Sequence, residues 1–283
     1  MRLITSVHTA QNIFLKLKQQ GKRTGFVPTM GAFHEGHLSL MRQARKECDV
    51  VVVSLFVNPA QFGPKEDLSR YPRDLGKDRA LAASAGADYL FVPRASDMYA
   101  PEFLTRVRVD VLSDGLCGRF RPGHFDGVVL VVAKLLNIVQ PERMFLGQKD
   151  AQQVAVIRRM TDDLNFSVKL RVCPVVREKD GLAMSSRNRY LSDEDRVRAA
   201  GIYAALSAAR EAVARGESDA QRIILQIKQL INDGTGASIE YVSCVDIKTL
   251  KDVGKINGKV MIAVAARVGN TRLIDNIIVR PSS

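Results

Sequence analysis

The stretch that decides the fold runs Gly25-Phe26-Val27-Pro28-Thr29-Met30-Gly31-Ala32-Phe33-His34-Glu35-Gly36-His37. Gly25–Pro28 reads as a short strand, and the apolar spacing that opens at His37 and runs to Glu47 reads as a helix. The same grammar repeats through the first 175 residues. Strands are expected at Val50–Val57, Asp88–Val92, Arg143–Leu146 and Val168–Val175, with helices at Asp74–Ala85, Phe125–Val139 and Ala151–Leu164. Strands alternating with helix-length amphipathic segments imply a Rossmann-like α/β parallel sheet in an N-terminal domain, residues 1–175. Thr105–Asp110 is a further candidate edge strand. Past Arg187 the pattern changes. Ser192 and Asp195 form an S-x-x-D box before an alanine-rich helix expected to stop at Gly216, and Ser218 caps a second helix ending before Gly234. Ser238–Val245, Lys259–Ala266 and Arg272–Val279 read as strands, with Gly269-Asn270 as a hairpin turn. Residues 176–283 are therefore expected to form a smaller α+β domain.

The chain has 283 residues, of which 46% are hydrophobic, enough for a substantial core. No apolar run approaches the roughly 18 residues of a bilayer span, and the N-terminus lacks a secretory h-region, so a cytoplasmic location is expected. Cys48, Cys117, Cys173 and Cys244 include no C-x-x-C pair and read as reduced, buried thiols. The net charge is +12, and up to residue 175 there are 25 basic against 17 acidic residues. With no Lys/Arg block, no Trp and only 6% aromatic residues, small phosphorylated or carboxylated ligands fit this excess better than nucleic acid.

Four loops carry candidate chemistry. His34 and His37, three positions apart on a first helical turn, either cap that helix or donate to an anion at its positive end. Gly31 to Gly36 has the glycine spacing of a Walker loop, but His37-Leu38 replaces its Lys-Ser/Thr; H-E-G-H is one residue short of the zinc motif H-E-x-x-H. The second loop, Asn58-Pro59-Ala60-Gln61, offers amides for hydroxyls or carboxylates, and Lys65–Arg73 beyond it is either solvated or a basic flap. The third, Gly147-Gln148-Lys149-Asp150-Ala151-Gln152-Gln153, offers Lys149 as a second anion clamp or a surface charge, with Asp150 favoured as a helix cap. The fourth runs from Val176 through Met184-Ser185-Ser186-Arg187. All four follow strand carboxyl ends, the edge where ligands bind in open parallel sheets. They hold no obvious nucleophile or carboxylate dyad. Transfer at phosphorus by positioning and charge stabilisation fits that residue set.

Five segments, PTMGAFHEGHLSLM (28–41), SLFVNPAQFGPKEDLSRYPR (54–73), RPGHFDGVVLVVAKLLNIVQP (121–141), GQKDAQQ (147–153) and DGLAMSSRNRYL (180–191), closely resemble the pantoate–β-alanine ligase family over essentially the whole chain. The resemblance implies ATP, carried with Mg²⁺, pantoate and β-alanine as substrates, and a pantoyl adenylate intermediate. It implies an ATP site of Met30, Gly31, Ala32, Phe33, His34, Glu35, Gly36, His37, Gly147, Gln148, Lys149, Asp150, Val176, Met184, Ser185, Ser186 and Arg187. It makes His37 the catalytic proton donor, His34 its companion, and Lys149 the cation at phosphorus. Gln61 and Gln153 would hold pantoate, Gln61 also approaching β-alanine. A homodimer, a C-terminal lid and no nucleic-acid or membrane partner are implied too. Phe33 stands where the family usually has leucine, Gln148 where it has glutamate, and Ala183 where the wider nucleotidyl-transferring class often has lysine. Two rivals share features of the chain: an adenylyltransferase that leaves AMP on its product, and an RNA-binding module prompted by the charge.

Overall fold

The computed structural model describes residues 1–64 and 66–281; Lys65, at the start of the charged loop, lies outside them. Six strands, β1 (Arg2–Ile4), β2 (Thr24–Thr29), β3 (Val50–Leu55), β4 (Tyr89–Phe91), β5 (Arg143–Gly147) and β6 (Lys169–Cys173), form a parallel sheet in the order β1-β4-β3-β2-β5-β6. Helices α1 (Val7–Gln19), α2 (Glu35–Glu47), α3 (Leu75–Ser84), α4 (Ala95–Met98), α5 (Cys117–Phe120), α6 (His124–Val139) and α7 (Ala151–Asp163) connect or flank them. The two-residue alternation of a strand divides the core. Phe26, Val52 and Met144 pack with Phe14 of α1, Val129 and Leu135 of α6 and Ile157 of α7. Val27, Val51, Val53 and Phe145 pack on the other face with Met41 of α2 and Ala82 of α3. From β2 the chain winds outward through β3 and β4, then crosses to β5 and β6 on the opposite side. The strand order therefore reverses between β2 and β5, and a crevice opens beyond their carboxyl ends.

The smaller unit is an antiparallel sheet of β7 (Ser238–Asp246), β8 (Val260–Val268) and β9 (Thr271–Val279), covered on one face by α8 (Asp193–Ala199), α9 (Gly201–Ala214) and α10 (Ala220–Thr235). Its other face, with Val245, Met261 and Ala263, meets Leu116 and Ala151 of the first unit. Gly269-Asn270 makes the expected two-residue turn, since Val268 pairs with Thr271. Among the described residues no helix is long and apolar enough to cross a membrane.

The structure corrects several expectations. β1 and α1 lie in a segment to which the sequence pattern assigns no element. Only Ala10 and Phe14 of α1 are buried, so its polar interruptions are the exposed face of an amphipathic helix capped by Ser6. Thr105–Asp110 is not a strand. Val109 and, partly, Val107 turn into the core, which accounts for the alternation without any ladder partner among the described residues. The alanine-rich helix is two helices that break at Ala200, beside the weak helix former Gly201. Asp219, not Ser218, caps α10, and the helix runs past Gly234 to a left-handed Gly236. Ser192 caps α8 through Asp195 N–H at 3.1 Å, but the Asp195 carboxylate turns to Arg198 instead of closing the box.

Candidate active site

A cavity of about 240 Å³ occupies the crevice between β2 and β5. Met30, His34, Gly36 and His37 line it after β2, Asn58 and Gln61 after β3, Gly147, Lys149, Asp150 and Gln153 after β5, and Val176, Met184, Ser185, Ser186 and Arg187 after β6. Four loops far apart in the chain thus converge. Gly31, Ala32, Phe33, Glu35 and Gln148, expected at the nucleotide, do not line the cavity.

Those five residues have other work. The carboxylate of Asp78, buried on α3, accepts the backbone N–H groups of Ala32 at 2.8 Å and Phe33 at 2.7 Å. This clamp holds Ala32 in the left-handed region at φ 53°. Gly31, at φ +87°, leaves room for the clamp, because a Cβ there would sit 2.9 Å from Asp78 Oδ2. Phe33 is buried and its ring lies 5.6 Å from that of His37. Glu35 pairs with Arg42, and Gln148 bonds to Asn276.

The two imidazoles both cap α2 and line the cavity. His34 Nδ1 accepts from Gly36 N–H at 3.2 Å, and His37 Nδ1 accepts from His34 N–H at a long 3.4 Å. The ring centroids are 4.1 Å apart. An Nδ1 that accepts leaves the hydrogen of a neutral imidazole on Nε2. Burial, reinforced by Lys149, pushes His34 down to about 4. Burial, reinforced by His34 and Lys149, holds His37 well below its ordinary 6.5. Near neutral pH both rings are therefore uncharged Nε2–H donors.

Gln61 sits on a 3₁₀ turn, Pro59–Gln61, that packs against α6. A Cβ at Gly127 of α6 would come within 2.2 Å of Ala60 O, so only glycine permits this approach. Asn58, 1% exposed, is the hub. Its Nδ2 donates to Gln61 Oε1 at 3.1 Å and Gly127 O at 2.9 Å, and its Oδ1 accepts from Tyr99 OH at 2.8 Å and Ala60 N–H at 3.3 Å. The other end of the Gln61 amide donates to Met30 Sδ at 3.0 Å, a weak acceptor. Below, His124 Nδ1 donates to Gln61 O at 2.8 Å while Arg121 Nη1 donates to His124 Nε2 at 3.0 Å. Burial and then Arg121 press His124 down to about 4, so it too is neutral. Gln153, across the cavity, has no hydrogen-bond partner for its side chain among the described residues.

Lys149 lies on the 3₁₀ turn Gln148–Asp150 that opens α7; its side chain is 22% exposed, with Nζ 3.9 Å from Asp150 Oδ1. Asp150 stands at the N-cap position, but its side chain makes no capping bond, contrary to the expected cap. Arg187 is bidentate to Asp67, at 3.0 and 2.8 Å, and Tyr71 OH meets Ser186 Oγ at 3.2 Å. Ser185 Oγ accepts Arg187 N–H at 3.3 Å. The charged loop is thus strapped to the fourth loop through Asp67 and Tyr71. Sequence reasoning missed Asp78, Asp67, Tyr71, Arg121 and His124. Only the last two carried a local signal, an R-x-x-H spacing inside a helix entry.

The family model described as pantoate-beta-alanine ligase matches residues 2–278. A pantothenate synthetase of Sulfurihydrogenibium sp. is 53% identical over 278 residues, 98% of this chain and 99% of that protein. One of Caldicellulosiruptor saccharolyticus is 49% identical over 279 residues, 99% of each chain. The crystal structure of pantothenate synthetase from Thermus thermophilus superposes with a TM-score of 0.94 at 44% identity, covering 99% of this chain and 100% of that one. That of a pantoate-beta-alanine ligase from Francisella tularensis, complexed with beta-gamma ATP and beta-alanine, gives 0.80 at 36% identity, covering 98% and 97%. With a matching family model across nearly its full length and relatives near half identity, this chain belongs to the pantoate–β-alanine ligase family.

Proposed function

We propose that this protein condenses pantoate with β-alanine at the expense of ATP, giving pantothenate, AMP and pyrophosphate through a pantoyl adenylate. The observation that carries the reading is the convergence of His34, His37, Lys149, Gln61 and Gln153 on one cavity at the strand-order reversal. ATP enters with its Mg²⁺ as the substrate complex. Its phosphates lie over the start of α2, within reach of Met30, Gly36 and the two imidazoles, with Gly147, Lys149, Asp150, Val176 and Met184–Arg187 closing the nucleotide side. Pantoate sits between Gln61 and the unpartnered Gln153.

A pantoate carboxylate oxygen attacks the α-phosphorus and pyrophosphate leaves. Negative charge grows on the phosphoryl oxygens, and the Lys149 ammonium with the two Nε2–H donors offsets it; losing one such preorganised contact commonly costs about 3 kcal/mol. His37, neutral in its ring, acts as a hydrogen-bond donor at Nε2, offsetting charge on the phosphoryl oxygens while it keeps its proton. The β-alanine amine, as its free base, then attacks the acyl carbon beside Gln61; the C–N bond forms, the acyl–oxygen bond to AMP breaks, and the surplus amine proton passes to the departing AMP or to solvent. The residues that do not line the cavity, Gly31, Ala32, Phe33, Glu35 and Gln148, support this site through the loop backbone. Residues 176–283 serve as the lid over residues 1–175, and the protein works as a homodimer in the cytoplasm.

The test is pantoate-dependent ATP–pyrophosphate exchange without β-alanine, followed by AMP and pantothenate once β-alanine is added. Formation of ADP and phosphate would refute the reading. AMP retained on the product would favour the adenylyltransferase rival. His37→Ala should abolish exchange while leaving the far-ultraviolet circular dichroism unchanged. Sedimentation equilibrium tests the dimer.

A further inference from the structure

The second unit reaches the first through two adjacent residues of β9. Asn276 is 4% exposed, and its Nδ2 donates to the backbone carbonyls of both Gln148 and Lys149 at 3.0 Å each. Its Oδ1 accepts from Gln148 Nε2, again at 3.0 Å. The turn that presents Lys149 is thus held by three bonds from a strand 127 residues away. Asp275 beside it is bidentate to Arg177, at 2.5 and 3.0 Å. Arg177 in turn stacks 3.7 Å over the Tyr203 ring and donates to Gly181 O at 3.0 Å, fixing the loop that leads to Met184–Arg187. Asp275 and Asn276 are buried and Arg177 is half-buried, so neither bond set is a fully exposed surface contact.

The chemistry of the Asn276 contact is selective. A carboxamide is the short side chain that supplies two donor hydrogens and an acceptor together; Asp, Leu and Ala each lack the donors. Both carbonyls belong to the turn that precedes α7, so the Asn276 carboxamide ties the backbone that carries Lys149 directly to β9. A turn free to shift carries the Lys149 ammonium with it, and a displacement of about 1 Å at a reacting centre can cost roughly 100-fold in rate.

We propose that Asn276 is a positioning residue for Lys149, through which β9 of the second unit sets the place of the cation at phosphorus. The proposal rests on the reading that Lys149 offsets charge in adenylate formation. It assigns the C-terminal sheet a part in the first chemical step, distinct from covering the cleft.

The test is a double-mutant cycle on single-turnover pyrophosphate release, with ATP and pantoate and no β-alanine, for the wild type, Asn276→Ala, Lys149→Ala and the double variant. Asn276→Ala should lower the rate about 10- to 100-fold while pantoate KM moves less, because Gln61 sits on the Pro59–Gln61 turn, away from Asn276. On the Lys149→Ala background the same change should cost less than about twofold, the non-additivity of residues acting as one unit. Asn276→Leu, of similar volume and without donors, is run beside it and should show the same fall in rate, so that the test survives if the smaller side chain compromises folding. Equal losses in both backgrounds, or an undiminished rate in either Asn276 variant, would overturn the proposal. A wild type without pantoate-dependent pyrophosphate release would instead defeat the proposed function, a result read from the first protein alone.

Discussion

Replacing Asp78 gives the sharpest test of how the histidine loop is built. Its carboxylate is 2% exposed and accepts two backbone N–H groups, those of Ala32 and Phe33. Asp78→Ala leaves both donors buried and unpaired, at about 1–3 kcal/mol each. The left-handed backbone of Ala32 costs on the order of 1–3 kcal/mol, which the clamp now offsets and which would relax once it is gone. Against a total stability of about 5–15 kcal/mol, the alanine variant should be severely weakened. Asp78→Asn is the more informative change. It keeps the shape and one acceptor, but sets an NH₂ against the second N–H, for an expected loss of about 2–3 kcal/mol by urea unfolding. Relaxation at Ala32 displaces His34, two residues on, so kcat for pantoate-dependent exchange should fall about 10- to 100-fold at temperatures where the protein is fully folded. Gly31→Ala strikes the same clamp from the other side, since the new Cβ meets Asp78 Oδ2 at 2.9 Å and the backbone stands at φ +87°. An Asp78→Asn protein with wild-type stability and kcat would refute the clamp.

Gly127→Ala drives a Cβ into Ala60 O, Ala60 C and Gln61 N, all backbone, at 2.2 to 2.6 Å, and must push the Gln61 turn off α6. Pantoate KM should rise about 10-fold or more with ATP KM little changed; the reverse pattern would separate Gln61 from pantoate. Asp67→Ala releases Arg187 to the nucleotide, so ATP KM should fall about 3- to 10-fold, whereas a rise would mean that the strap itself assembles the ATP site. Acid sensitivity follows from His34 and His124, each held near 4 against an ordinary 6.5. Between those values the unfolded chain binds the protons, so this stability is present above 6.5 and declines as pH falls toward 4. The thermal midpoint should be lower at about pH 5 than at about pH 7.5, and a higher one at the acid end would contradict neutral burial of these rings. The well-paired carboxylates Glu47 and Asp49, held down to about 2 chiefly by Arg171 and Arg23, lose their contribution only at lower pH and do not confuse that window.

The sequence displays whatever is local. Val51, Val52 and Val53 lie in one unbroken apolar run because both faces of β3 are buried, and His34, Lys149 and Gln153 lie where strands give way to helices. Contacts between distant segments leave no such trace. Asp78 stands in an ordinary helical pattern 46 residues from Ala32, and nothing near it marks it as an acceptor for a turn. Arg121 finds Glu66 across 55 residues and Arg187 finds Asp67 across 120, so a loop that reads as either solvated or a basic flap is held by two of its acids. The end of α10 is ambiguous in the sequence for a related reason. Gly234 and Gly236 are equal stop signals, and only the second adopts the left-handed conformation that ends the helix.

The electrostatics of the cavity differ from what a net charge of +12 suggests. Of its three cationic side chains among the described residues, Arg121 is bidentate to Glu66, with both contacts at 2.6 Å, and Arg187 is bidentate to Asp67. Lys149 alone has its nearest carboxylate beyond hydrogen-bond reach, at 3.9 Å. The two imidazoles add donors without adding charge, because burial keeps them neutral. On the proposed reaction, a site arranged this way would bind the ground-state triphosphate with little direct Coulombic pull from its arginines and would keep one ammonium and two neutral donors for the charge that appears at phosphorus. That is the distribution expected where interactions strengthen in the transition state rather than uniformly. It makes the placement of Lys149, and so of the turn that Asn276 holds, weigh more on rate than the total positive charge of the chain.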